Sequence, residues 1–190
     1  MIRIKFLERN RTMKLRRILL ALFCLTCVTL TSCANDDGGG YAGNPTYDNL
    51  SGMQQDHLSD IEASGIQVIK QGAKMTFAIP TDTFFTKSTR AVKEGHSDDL
   101  VRLAVFVHDY LRYFSDGKVS VTGYTDKVWN APARNKLSLH YAQLVANFMR
   151  EAGVPDDVLT IRGKGAKHPI ASNQYPMGAS FNRRVMVIIH

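Results

Sequence analysis

A short apolar run with positive charges before it lies near the start of the chain. The run spans residues 18–30, and Lys14, Arg16 and Arg17 precede it. A transmembrane helix needs about 20 apolar residues, so this run is too short to cross a bilayer, whereas its length is typical of the apolar part of a secretory signal. The pattern therefore predicts that the folded part of the protein follows this segment and is exported.

The apolar run ends at a cysteine that small residues precede. The sequence Leu30-Thr31-Ser32-Cys33 has the order that a lipoprotein signal peptidase requires, so we expect residues 1–32 to be removed and Cys33 to carry diacylglycerol. Cys33 is followed by Ala34 and not by Asp, which resembles lipoproteins that are sorted to the outer membrane. We therefore expect the lipid to anchor the protein at the periplasmic face of the outer membrane. The alternatives are an ordinary cleaved signal peptide and a short membrane anchor. Translation from Met13 would give a signal of ordinary length, and residues 1–12 would then precede the true start of the protein.

Residues 33–52 have the composition of a flexible linker. They are rich in Gly, Asn, Asp and Tyr, contain Pro45 and show no apolar period. The remaining residues, 53–190, have the length of one domain and are numerous enough to bury a core. We therefore expect one folded domain that a tether holds near the membrane.

Alternating apolar and polar positions predict that this domain begins with a hairpin. Residues 66–70 and 74–79 are strand-like pieces on either side of Gln71-Gly72-Ala73, and the apolar residues of the second piece alternate. Pro80 to Phe85 then leaves the sheet through a turn. A helix follows, for which Ser97 is the predicted N-cap and Asp98 and Asp99 are predicted acids of the first turn. Its predicted apolar face consists of Leu100, Leu103, Ala104, Val107 and Leu111.

The second half of the domain repeats the strand and helix pattern. Residues 118–123 alternate like a strand, a helix is predicted from about Pro132 to Gly153, and residues 158–161 and 185–189 are the last predicted strands. Strands that alternate with helices predict an α/β (α+β) two-layer sandwich, with parallel pairing where a helix crosses over. The predicted apolar stripe of the second helix consists of Leu137, Tyr141, Leu144, Val145 and Phe148.

Charge and cysteine content exclude several kinds of binding site from the part of the chain after the signal. The chain has a net charge of +7, but residues 1–32 contain seven Lys or Arg and one acid, so the rest carries 17 basic and 16 acidic residues. A net charge of +1 leaves no basic surface of the kind that nucleic acids require, and we expect no nucleic-acid partner. No cysteine follows Cys33, which excludes a disulfide or a thiolate metal site within the domain.

The sequence of the domain contains no recognisable catalytic or metal-binding motif. His96, His108, His140 and His168 lie in separate predicted elements without metal-ligand spacing, and no nucleophile-elbow motif accompanies a Ser, His and Asp set. Gly163-Lys164-Gly165 lacks the rest of a phosphate-binding loop and is interpreted as a backbone turn. We therefore expect no metal, no cofactor and no enzymatic activity.

A set of short motifs resembles the OmpA C-terminal-like domain. The resemblance covers about residues 65–190 and rests on the order and spacing of the motifs rather than on any one of them. It implies a βαβαββ sandwich with a mixed sheet that binds the diaminopimelate of peptidoglycan without cleaving it. The motifs are Gly123-Tyr124-Thr125-Asp126, Leu137-Ser138, Gly153-Val154, Gly163-Lys164-Gly165, Pro169, Asn173 and Asn182-Arg183-Arg184-Val185.

The resemblance also implies the residues of a binding site. In the family the Asp of the first motif takes the ligand's amine, which points to Asp126, with a loop-capping acid as the alternative. The family's carboxylate-binding Arg lies fifteen residues later, where this chain has Tyr141, a residue that could equally continue the apolar stripe. Arg134 is a candidate substitute two helical turns away. Asn182 and Arg183 complete the candidate set. Adjacent residues on a strand face opposite ways, so we expect Arg184 to face away from the site and to be solvated or paired with an acid.

The loss of that Arg predicts weakened peptidoglycan binding. A neutral hydrogen bond in place of two charge-assisted ones costs roughly 1–3 kcal/mol. Two functions follow: a lipid-tethered anchor between outer membrane and cell wall, or a structural subunit of an envelope machine. For the second, the altered site and the Pro80 to Phe85 segment resemble OmpA-like lipoproteins of the Dot/Icm type IVB secretion system, whose partners would be other secretion-system outer-membrane lipoproteins. An enzyme acting on wall peptides is the least favoured alternative.

Overall fold

The computed structural model describes residues 50–114, 116–128 and 130–190. The predicted signal, Cys33 and residues 33–49 of the predicted tether lie outside this part of the chain. Leu50, the first residue of this part, is buried, and the first described helix, α1 (Gly52–Ala63), follows. Ser51 caps α1 and forms a capping box with Gln54. The sequence did not predict α1, because only Leu58 and Ile61 of its residues are buried and they form no long apolar stripe.

The predicted hairpin is confirmed. Strand β1 (Gln67–Gln71) pairs antiparallel with β2 (Lys74–Pro80), and Gly72 in the connecting turn has a φ of 59°, a conformation that glycine adopts without strain. A short helix, α2 (Thr81–Phe84), takes the place of the predicted turn after β2.

Helix α3 (Ser97–Leu111) buries most of its predicted face, while its predicted cap is wrong. Leu100, Leu103, Ala104 and Val107 are buried as predicted. The N-cap residue is His96 rather than Ser97, and its imidazole lies 3.0 Å from the carboxylate of Asp99. The predicted acids of the first turn are present, and Asp99 stabilises this helix end without a serine cap.

The predicted parallel crossover is formed by β3 (Val119–Tyr124), α4 (Ala131–Glu151) and β4 (Leu159–Gly163). The buried face of α4 lies one position from the predicted stripe, on small as well as apolar residues. Close packing explains the difference, since a Cβ atom at Gly123 of β3 would lie 1.9 Å from the carbonyl oxygen of Ser138. The buried residues of α4 are Ser138, Ala142, Val145, Ala146 and Met149, whereas Leu137, Tyr141, Leu144 and Phe148 are half-buried.

The last strand occupies a central position in the sheet. Helix α5 (Pro176–Asn182), which the sequence did not predict, leads into β5 (Arg184–Ile189). The strand order is β1-β2-β5-β3-β4, and β5 is antiparallel to both of its neighbours. The mixed sheet and its helices confirm the predicted fold class. None of the described helices is long and apolar enough to cross a membrane.

Candidate functional site

The sheet order brings three charged residues from distant parts of the sequence to one edge. Asp82 follows the end of β2, Asp126 follows the end of β3, and Arg183 directly precedes β5, which lies between those strands. Since β5 is antiparallel to both neighbours, its start meets their ends, as the pairing of Arg184 with both Pro80 and Tyr124 shows. The predicted proximity of Asp126 and Arg183 is thus present in the structure.

The guanidinium of Arg183 binds both carboxylates. Its Nη1 donates to Asp126 Oδ2 at 2.6 Å, and its Nε lies 2.9 Å from Asp82 Oδ1 and 3.0 Å from Asp82 Oδ2, which Nη2 also contacts. The hydrogen bond to Asp82 is the largest cause that raises the pKa of Arg183 above its ordinary value, and the bond to Asp126 adds to it. Arg183 is therefore a fixed positive charge held between two acids.

Asp126 also organises the loop in which it lies. Its side chain is buried, with 5% of the residue exposed, and Oδ1 accepts a hydrogen bond from the amide of Val128 at 3.1 Å. The loop-capping role that was expected as the alternative is thus present, and the same carboxylate lines the cleft.

A cavity of about 240 Å³ opens beside this cluster, and we call it the cleft. Thr125 is 5% exposed, and its hydroxyl Oγ1 has no hydrogen-bond partner among the residues that the structure describes. A buried hydroxyl without a partner is costly, and a ligand in the cleft could satisfy it. The cleft is lined by Thr81, Asp82, Lys87, Arg90, Thr125, Asp126, Val128, Leu137, Tyr141 and Arg183.

Tyr141 both lines the cleft and packs. Its ring centroid lies 4.8 Å from that of Phe85, a contact of the kind that stabilises aromatic pairs. Burial raises the pKa of its phenol, the charge of Arg90 acts in the opposite direction, and the charge of Asp82 raises the pKa further. The phenol therefore stays neutral and lies within electrostatic reach of both a cation and an anion of the cleft.

Arg134 and Asn182, the other two predicted site residues, do not line the cleft. Nη1 of Arg134 donates to the carbonyl oxygen of Lys127 at 3.2 Å, so it supports the loop after Asp126. Asn182 is 1% exposed and braces the loop at residues 170–173: its Oδ1 accepts from two backbone amides, and its Nδ2 donates to two oxygens. Both residues thus shape the surroundings of the cleft.

Arg184 faces away from the cleft, as the strand alternation predicts, but its predicted environment is wrong. It is 5% exposed rather than solvated, and it pairs with the ring of Tyr124, 4.2 Å from its guanidinium carbon, rather than with an acid. Its Nη2 donates to the carbonyl oxygen of His168 at 3.2 Å. Burial lowers the pKa of Arg184, while Tyr124 acts in the opposite direction.

Sequence reasoning missed three charged residues of the cleft: Asp82, Lys87 and Arg90. Asp82 belongs to the segment that was predicted to leave the sheet through a turn, and a carboxylate directly after a strand was the available signal. Lys87 and Arg90 lie in a loop without periodicity, so nothing local to them indicated a site. Among residues 50–114, 116–128 and 130–190, no group of three His, Cys, Asp or Glu is placed to hold a metal ion.

Comparison with known proteins adds independent information. Residues 84–183, just over half of the chain, match the model of the OmpA family. The outer-membrane lipoprotein YfiB of Pseudomonas aeruginosa is 27% identical over 150 residues, which cover 79% of this chain and 86% of that protein. The peptidoglycan-binding protein ArfA of Mycobacterium tuberculosis is 36% identical over 84 residues, 44% of this chain but only 26% of ArfA.

Among solved structures, the cell wall anchor of the T6SS from Pseudomonas aeruginosa is similar to this chain. The two are 28% identical with a TM-score of 0.60, and the match covers 72% of this chain and 95% of that structure. The two structures therefore share the mixed α/β fold.

Proposed function

Because the chain belongs to the OmpA family, we propose that it is an outer-membrane lipoprotein whose domain binds peptidoglycan without cleaving it. The observation that carries this proposal is the buried carboxylate of Asp126, held against Arg183 at the wall of an open cleft. A stem-peptide diaminopimelate carries an ammonium and a carboxylate, and a binder needs groups of both signs at a fixed separation. The similarity to the outer-membrane lipoprotein YfiB, to the peptidoglycan-binding protein ArfA and to the cell wall anchor of the T6SS supports an envelope role.

Retention on isolated sacculi tests the binding. We expect full-length protein in detergent to sediment with sacculi, and Asp126→Asn to reduce the retained fraction about tenfold, since one charged hydrogen bond is lost. Asp60→Asn is the matched control, because Asp60 is an exposed acid on α1 outside the cleft. Equal retention of wild type and Asp126→Asn would place any wall contact elsewhere and reject this site.

The lipid anchor is a separate part of the proposal. Cys33 after small residues predicts acylation, and the outer-membrane lipoprotein YfiB is similar over most of the chain. Labelling cells with an alkyne fatty acid should mark wild type and leave Cys33→Ser unmarked and released from membranes. Unchanged fractionation of Cys33→Ser would remove the anchor from the proposal and leave the cleft untouched.

A role inside a secretion machine is the second candidate function. The observation that favours it is the likeness to the cell wall anchor of the T6SS, a protein of a secretion apparatus. The finer proposal, which the sequence resemblance suggests, is a subunit of the Dot/Icm type IVB secretion system with other secretion-system outer-membrane lipoproteins as partners. Tagged full-length protein should then co-purify with a large envelope complex after detergent extraction, and recovery only as a monomer would reject this role while leaving wall binding intact.

A further inference from the structure

Two cations line the cleft without a counter-ion. Lys87 and Arg90 are exposed, and within the described residues neither side chain makes a hydrogen bond or an ion pair. The two acids of the cleft, Asp82 and Asp126, are already bound by Arg183. An unpaired cation beside a concave surface favours an anionic ligand group, and a guanidinium fits a carboxylate with two parallel bonds.

Hydrogen bonds hold the loop that presents these cations. The amide of Thr86 donates to the carbonyl oxygen of Ala91 at 2.9 Å, and the amide of Arg90 donates back to the carbonyl oxygen of Thr86 at 3.0 Å. The hydroxyls of Thr86 and Thr89 contact each other, and the amide of Lys93 fixes the end of the loop on the carbonyl oxygen of Phe84 at 2.9 Å. Arg90 is therefore presented by a constrained turn and not by a free segment.

The position of Arg90 matters because of what α4 lacks. Tyr141 lies where the family resemblance places a carboxylate-binding arginine, and Arg90 is close enough for its charge to affect the phenol of Tyr141. A guanidinium thus reaches the same part of the cleft from the loop instead of from the helix. Sequence alone suggested Arg134 as the substitute, but Arg134 contacts the carbonyl oxygen of Lys127 outside the cleft lining.

The lining of the cleft contains charges of both signs. Asp82, Asp126 and Arg183 together carry one net negative charge, whereas Lys87 and Arg90 carry two positive charges. Diaminopimelate differs from lysine by one carboxylate on the carbon that bears the side-chain amine. A ligand with an ammonium and a carboxylate on one carbon would place each next to groups of opposite sign.

We propose that Arg90, assisted by Lys87, binds the side-chain carboxylate of diaminopimelate and so makes the cleft selective for stem peptides that carry it. This inference rests on the proposed peptidoglycan binding and assigns the carboxylate-binding role to the loop after α2. It also implies that replacement of the family's arginine by Tyr141 moves the anion-binding group instead of removing it.

Titration of two soluble stem peptides tests the proposal. The peptides differ only at the third residue, which is meso-diaminopimelate in one and L-lysine in the other, and binding to full-length protein in detergent is measured by calorimetry. We expect wild type to bind the diaminopimelate peptide at least about tenfold more tightly, since one charge-assisted contact is at stake. Arg90→Gln should remove this preference by weakening only the diaminopimelate peptide, whereas Arg90→Lys should keep part of it.

Two further variants sharpen the test. Arg112→Gln removes an exposed arginine outside the cleft and should leave both affinities unchanged. Tyr141→Arg in the Arg90→Gln protein should restore selectivity, because it returns a guanidinium to the helix position. Thermal unfolding of each variant shows whether a lost affinity reflects a lost fold.

The possible outcomes separate the two proposals. If wild type binds neither peptide, the proposed function fails and the inference falls with it. If wild type binds both peptides equally, or if Arg90→Gln weakens both by the same factor, peptidoglycan binding stands and the role of Arg90 is overturned.

Discussion

Asp82 and Asp126 accept hydrogen bonds from one guanidinium, that of Arg183. The two acids follow the ends of β2 and β3, and Arg183 precedes β5 between them, so this cluster ties three strand ends together. It also fixes the wall of the cleft, because all three residues line it. The same ion pairs thus serve stability and binding, which makes Arg183 the most consequential charged residue of the site.

We expect Arg183→Met to lower the free energy of unfolding by roughly 2 kcal/mol, between the values for exposed and for buried ion pairs. The reason is that Asp126, whose side chain is 7% exposed, would lose its only ion-pair partner among the described residues. Urea unfolding measures the effect. In a double-mutant cycle, Asp126→Asn should cost much less in the Arg183→Met background than in wild type, and additive costs would show that the pair is not coupled.

We expect Asn182 to stabilise the fold and not to bind ligand, since its side chain holds the loop at residues 170–173. Asn182→Ala removes four hydrogen bonds to the loop at residues 170–173, between 2.8 and 3.2 Å long. We expect a loss of about 2–4 kcal/mol in stability and faster hydrogen exchange at the amides of Ile170 and Ala171. Asn173→Ala removes only one of these bonds and is the matched control. Equal exchange rates in both variants would contradict the bracing role.

The strands and the main site residues could be predicted because their signals are local. Alternation predicts β2 and β3, short strand-like runs predict β1, β4 and β5, and the motif resemblance points to Asp126 and Arg183. The order β1-β2-β5-β3-β4 is different, since it arises from non-local pairing that no single segment encodes. That order brings Asp82 to the site, and its one local signal, a carboxylate after the end of a strand, did not by itself indicate a partner across the sheet.

The apolar pattern of α4 did not predict which face of the helix is buried. Large apolar residues suggested the stripe through Leu137 and Tyr141, but the glycines of β3 and β4 let α4 approach the sheet closely. Small residues such as Ser138 and Ala142 therefore take the buried positions, and Tyr141 turns towards the cleft. Which face a helix buries depends on the partner's side-chain volume, and this volume lies elsewhere in the sequence.

Gly123→Ala tests this close approach. The new Cβ atom would lie 1.9 Å from the carbonyl oxygen of Ser138, so α4 must move and the free energy of unfolding should fall by about 1–3 kcal/mol. Gly52→Ala is the matched control, because nothing lies within 4 Å of the added atom at the first residue of α1. Urea unfolding should show little change or a small gain for Gly52→Ala, and a similarly small effect at Gly123 would contradict the packing argument.

Alkaline pH should weaken the domain through Tyr110. This residue is fully buried, its hydroxyl donates to the carbonyl oxygen of Ala73 at 2.9 Å, and burial raises the pKa of its phenol above the ordinary value of 10.0. The folded phenol therefore keeps its proton at a pH where the unfolded phenol has lost it. The stabilisation is fully present below pH 10 and is lost as the pH rises through 10 towards the raised pKa.

Comparison of wild type with Tyr110→Phe between about pH 9 and about pH 11 isolates this effect. At the lower pH the variant should be less stable by about 1 kcal/mol, because it lacks the hydrogen bond to Ala73. As the pH rises, wild type should lose stability faster than the variant, so the difference between them shrinks. The pKa of Tyr141 is raised in the same direction, and both proteins are therefore prepared with Tyr141→Phe. Parallel pH profiles would show that the phenol of Tyr110 does not titrate differently in the folded and unfolded states.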